Sequence, residues 1–156
     1  MKRWLLPLVL FMGLNLGCVG LINDWSGGDV EIRLGEDAKA PADFPVLAPE
    51  GAEPVLFMKI KAEEDSLNLP EGVTLPDSSA EYVVETMTYV NVPDPAAEAA
   101  ANKAKLEEAG WKFIKSDQEL ASYQKGDQIF VYGPSQDSWL ELRISPAPAP
   151  ATPPAP

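Results

Sequence analysis

Residues 82–92 read Tyr82-Val83-Val84-Glu85-Thr86-Met87-Thr88-Tyr89-Val90-Asn91-Val92. β-Branched and aromatic residues dominate this run, and no glycine or proline interrupts it before Pro93. Such side chains suit a pleated, half-buried surface, so the run predicts a strand. Its C-terminal flank is equally legible. Asp94-Pro95 supplies a helix cap followed by proline at the first helical position. The alanine-rich stretch 96–109 continues the helix, and Gly110 stands just past its end. Leu106, Ala99 and Ala109 fall on one side, a stripe narrow enough for close approach to a sheet. Four short strands then follow, at Trp111–Ile114, Leu120–Lys125, Gln128–Tyr132 and Ser138–Ser145. Gly126-Asp127 and Gly133-Pro134-Ser135 are read as turns between them. Leu140, Leu142 and Ile144 alternate with Glu141 and Arg143, which predicts a half-exposed last strand.

Toward the N-terminus, Val30, Ile32 and Leu34 alternate with Glu31 and Arg33, giving a short first strand. Residues 40–54 are rich in proline and alanine and carry Phe44, Val46 and Leu47. They predict an extended connection packed on the domain by those apolar side chains. Val55–Lys61 is a second strand, and the acidic, turn-rich stretch 62–80 an exposed loop. Strands, one helix, then a run of strands predict an α+β class: a small antiparallel sheet with one main helix packed on one face. The expected domain covers residues 28–145. Residues 146–156, built of proline, alanine and one threonine, predict a solvated, disordered tail.

The chain has 156 residues, 46% of them hydrophobic, enough for one core. Its net charge is −12. Such a body repels phosphate backbones, so nucleic acid is not an expected partner. There is one cysteine, Cys18, and no histidine. An internal disulfide, zinc sites built on Cys and His, and Ser-His-Asp or Cys-His catalysis are thereby excluded.

The first residues run Met1-Lys2-Arg3, then Trp4-Leu5-Leu6-Pro7-Leu8-Val9-Leu10-Phe11-Met12-Gly13-Leu14-Asn15-Leu16-Gly17-Cys18. Two cations before a short apolar run make a secretory signal. A small residue directly before a cysteine at the end of that run resembles the lipobox of bacterial lipoproteins. In that family the cysteine thiol receives a diacylglycerol, the leader is cut before it, and the new amino terminus is acylated with a fatty acid such as palmitate. The resemblance implies a signal peptide at 1–17, lipidation at Cys18 and a tether at 18–27. Losing Lys2 and Arg3 would take the net charge from −12 to −14. Asn15 departs from the aliphatic residue the family usually has three places before the cysteine. An uncleaved anchor over Trp4–Ile22, ordinary secretion and a buried apolar segment are the other readings of the stretch. Val19 after the cysteine, rather than Asp, resembles lipoproteins sent to an outer membrane facing the periplasm.

Pro41-Ala42-Asp43-Phe44-Pro45-Val46 and the later Gly110-Trp111 resemble segments of envelope lipoproteins of unknown function. In those a proline-rich segment follows a short first strand, and a helix ending in Gly-Trp precedes a strand meander. The related Tyr-Pro-Gly-Ala continuation is replaced here by Leu47-Ala48-Pro49-Glu50-Gly51-Ala52. The resemblance implies no activity.

Carboxylates are the abundant reactive groups. Glu63-Glu64-Asp65 and Glu107-Glu108 lack the alternating spacing and glycine of a calcium loop, and are read as a solvated surface. No phosphate-binding glycine loop occurs. No catalytic residue, metal ligand or cofactor is therefore expected. Trp111, Tyr123, Tyr132 and Trp139 are open to two readings. Aromatics in strands commonly pack in cores, while Tyr and Trp also favour binding sites. Trp139 with Tyr132 is the binding surface the sequence nominates. The expected function is a non-enzymatic, lipid-anchored envelope protein of structural or adaptor role, held to the membrane by its lipid and meeting an envelope protein. The alternative is a small module binding a peptide, glycan or other ligand on an exposed sheet face.

Overall fold

The computed structural model describes residues 30–63, 67, 75, 81–117 and 119–148. The leader, Cys18, the tether and the tail from 149 lie outside the described residues. Seven strands form one antiparallel sheet: β1 (Val30–Leu34), β2 (Glu53–Glu63), β3 (Glu81–Val90), β4 (Lys112–Asp117), β5 (Leu120–Lys125), β6 (Gln128–Ser135) and β7 (Ser138–Pro146). Their spatial order is β1-β2-β3-β7-β6-β5-β4. Two meanders, β1–β3 and β4–β7, thus meet along β3 and β7. Helix α1 (Pro95–Glu108) carries the chain from the centre of the sheet to its β4 edge.

The expected α+β class does not hold. Among the described residues 53% lie in strands and 17% in helix, a sheet-dominated fold. The physical reason is the small share of the core that α1 supplies. It buries only Asn102 and Leu106, so it acts as a crossover and not as a layer. Its ends are nevertheless well defined. Asp94 Oδ1 accepts a hydrogen bond from Ala97 N–H at 2.9 Å, and the proline follows at the first turn. Gly110 adopts φ +81°, and Trp111 N–H returns to Leu106 O at 2.9 Å, closing the last turn.

Both sheet faces carry a core. On the front face, Phe57, Met87, Tyr89, Tyr123, Phe130, Tyr132 and Trp139 form one core with Leu106 of α1. Ala38, Phe44 and Val46 join it from the strap that links β1 to β2. Phe44 meets Phe130 edge-on with centroids 5.7 Å apart. Leu47, expected to help pack this strap, is 73% exposed. On the back face, Tyr82, Val84, Ile129, Val131 and Ile144 form the second core. Leu67 and Leu75 pack against it from the stretch read as an exposed loop, and Leu75 is buried.

The turn expected at Gly133–Ser135 is displaced. Those residues belong to β6, and the chain reverses at Gln136-Asp137, between the paired Ser135 and Ser138. Gln136 adopts the left-handed conformation this two-residue loop needs. Gly133 is required for another reason: a Cβ there would lie 2.4 Å from Glu119 O.

Candidate functional site

Two polar constellations sit on the front face. The first is centred on Arg143 of β7, which stands opposite Glu85 of β3 in the register. Arg143 Nε donates to Glu85 Oε2 at 2.7 Å, and Nη2 donates to the same oxygen. On its other side Nη1 donates to the backbone oxygen of Asp43 at 3.0 Å and lies 2.9 Å from Asp43 Oδ2. The guanidinium also rests 4.9 Å from the centroid of the Phe44 ring. One arginine thus pins the strap to the sheet by backbone, side chain and ring together. These bonds hold the Asp43 carboxyl below the ordinary carboxylate value. Burial pulls the Arg143 value down, but its bonds to Asp43 and Glu85 outweigh that and leave it raised.

The second constellation lies under α1. Glu141 of β7 stands opposite Met87 of β3 and Tyr132 of β6. It is 0% exposed. Trp139 Nε1 donates to Glu141 Oε1 at 3.3 Å. Glu141 Oε2, Tyr89 Oη and both amide atoms of Asn102 are buried and find no hydrogen-bond partner among the described residues. Burial pushes the Glu141 carboxyl up to about 8; the Trp139 bond and Lys105 oppose this, and Glu98 adds to it. The Tyr89 hydroxyl is raised by burial and then by the nearby Glu141.

An open depression of about 660 Å³ lies at the end of the sheet beyond these groups. Asp43 and Pro45 of the strap, Trp111 and the β5–β6 turn at Gly126-Asp127 line it. Among the described residues no group of three acidic, His or Cys side chains is placed to hold a metal ion. Ala109, Lys125, Gln128 and Pro146 complete the lining, a mixed set of small, charged and amide groups around one indole.

No family model, curated protein or solved structure matches this chain.

The nominated binding surface is corrected by the burial. Trp139 is 1% exposed and Tyr132 2%. Tyr132 stacks between Tyr123 and Trp139, with centroids 5.8 Å and 5.9 Å away. Its hydroxyl donates to Ala99 O of α1 at 3.1 Å. Both residues are therefore floor beneath the helix, and no surface is centred on them. Cys18 lies outside the described residues.

The sequence reading missed Glu141 and Arg143 as buried groups. Alternation correctly separates them from Leu140, Leu142 and Ile144, but a period of two does not say which face is wet. One signal was present. Trp139 shares their face, and an indole there points to a packed side.

Proposed function

We propose that this chain is a lipid-anchored cell-envelope protein with a structural or adaptor role and no catalytic one. The observation that carries the reading is Gly17-Cys18 at the end of the apolar run, with no second cysteine in the chain. Acyl chains contribute roughly 0.8 kcal/mol per buried methylene, so two or more anchor a protein firmly. Twelve positions separate Cys18 from Val30 at the start of β1. Fully extended, that tether reaches about 40 Å at most. The sheet domain would work close to the membrane that holds it, against an envelope protein. Among the described residues no helix is long and apolar enough to cross a membrane.

Metabolic labelling with an alkyne fatty acid tests the anchor. Wild type is expected to take up label that Cys18→Ser does not. Equal labelling of the two would overturn the reading.

A second reading, a module binding on the exposed sheet face, is favoured by one observation. Leu56, Met58, Leu140 and Leu142 are partly exposed on the back face. The register sets them in two cross-strand rows, Leu56–Thr88–Leu140 and Met58–Thr86–Leu142. Their chemistry suits the apolar side chains of a peptide better than a glycan, because the large aromatic floor faces the other way. Crosslinks from Leu140 that Met58→Glu abolishes would support it, and crosslinks unaffected by that change would count against it.

A further inference from the structure

Glu141 is a carboxyl group in a place that offers a carboxylate almost nothing. Among the described residues its one bonded partner is the Trp139 indole, and Oε2 has none. The nearest arginine on its own face, Arg143, is already engaged by Glu85 and Asp43. From β3 it faces the Tyr89 hydroxyl, and from β6 its cross-strand neighbour is Tyr132, whose hydroxyl is committed to Ala99 O. From α1 it feels both Glu98 and Lys105, of opposite sign. Asn102 lies between those two along the helix, four places after one and three before the other, so all three share a side of α1. The amide of Asn102, on that same side of α1, is buried and again without a bonded partner among the described residues. Beneath α1, Glu141 Oε2 and Tyr89 Oη thus lie buried near each other without bonded partners among the described residues, and the hydroxyl cannot neutralise a negative charge there.

That helix is lightly held. Apart from Asn102, α1 buries only Leu106. Among the described residues two hydrogen bonds tie its backbone to the sheet: Tyr132 Oη to Ala99 O at 3.1 Å, and Lys125 Nζ to Ala109 O at 2.7 Å just past its end. Few buried apolar contacts and an exposed outer surface mark an element that opens by itself, well below the cost of global unfolding.

We propose that Glu141 is a proton-operated latch for α1: as a neutral acid it is accommodated beneath the helix, and on losing its proton it must take up water and so lifts α1 from the sheet. The sign follows from the folded value of about 8 against an ordinary 4.5. A folded-state value raised in this way stabilises the docked form fully below about pH 4.5, and the contribution is lost as pH climbs through 8. Between those limits each pH unit raises the opening constant of α1 by up to about tenfold. The chain has no histidine, so no other side chain of ordinary pKa changes charge between pH 5.5 and 7.5. That window isolates Glu141.

The test is hydrogen exchange on the full chain in detergent, at several pH values from 5.5 to 7.5, corrected for intrinsic exchange. In wild type the protection of α1 amides is expected to lie below that of β3 and β7 at every pH and to fall by up to about tenfold per pH unit. In Glu141→Gln, which is neutral at every pH and nearly the same shape, α1 protection is expected to be flat. A flat wild-type profile would sink the latch. So would an equal slope in Glu141→Gln, or α1 protection equal to that of β3 and β7 at every pH, since the helix would then open only with the whole sheet. Should the variant not fold, infrared spectra of wild type decide. A protonated carboxyl band persisting at pH 6.5 and titrating near pH 8 supports the latch, and its absence at pH 6.5 overturns it.

Discussion

Arg143 does more structural work than any other charged residue described. It is 7% exposed, its partner Glu85 5%, and both would be costly to bury alone. Together they tie β7 to β3 at the junction of the two meanders, and through Asp43 they tie the strap to both. Removing one member strands the other. Arg143→Met should therefore cost about 3–5 kcal/mol, chiefly because Glu85 is left buried with only Lys59, 3.8 Å from its other oxygen. Arg143→Met with Glu85→Leu should recover most of that loss, since no buried charge then lacks a partner. Asp43 keeps access to water in either case, its side chain being 75% exposed. Urea midpoints for the two single variants and the double one close the cycle. A double variant as unstable as the sum of the singles would mean that the two residues are not coupled and would refute the account of a stranded charge.

At the scale of elements, Gly133 decides how β6 runs. Its φ of +148° and the approach of Glu119 O to 2.4 Å from a would-be Cβ leave no room for a side chain. The obstacle is backbone, which cannot swing aside. Gly133→Ala should cost at least about 1–3 kcal/mol, read as a lower urea midpoint with unchanged slope. A cost within about 0.5 kcal/mol, the usual range for surface changes, would mean that the strands part easily here. The same glycine marks where sequence reading stops. Alternation and turn residues place every strand, because both are local signals. Asp94-Pro95 and Gly110 bracket the helix for the same reason. Gly133-Pro134-Ser135 looks like a turn only because glycine for a left-handed bend and glycine for close approach are the same letter. Likewise Phe44 and Val46 are legible as packing residues. That Asp43 is held by an arginine 100 positions away is not. Class and wet face depend on what lies across the sheet, and there local pattern is silent: hence the helix taken for a layer, and Trp139 for a surface.

Over the whole molecule, charge and topology pull in opposite directions. Twenty-four acidic residues face twelve basic ones. Among the described residues most acidic side chains stand at exposed positions, where the excess charge repels itself and favours the expanded chain. The attractive pairs described are fewer, and the strongest of them, Arg143–Glu85, is buried and so poorly screened by salt. Added salt should then weaken the repulsion more than the attraction. Raising sodium chloride from about 10 to 200 mM shortens the screening length from about 30 Å to under 10 Å, less than the distance between opposite edges of the sheet. The urea midpoint at pH 7 should rise with salt, by a free energy below about 1 kcal/mol, the scale of exposed charge interactions. Arg143→Met with Glu85→Leu should show the same rise, because the pair it removes lies outside the screened set. A midpoint that fell with salt would mean that surface pairing outweighs net repulsion. The acidic surface would then be part of what holds the sheet together, and not only what keeps it apart from its neighbours.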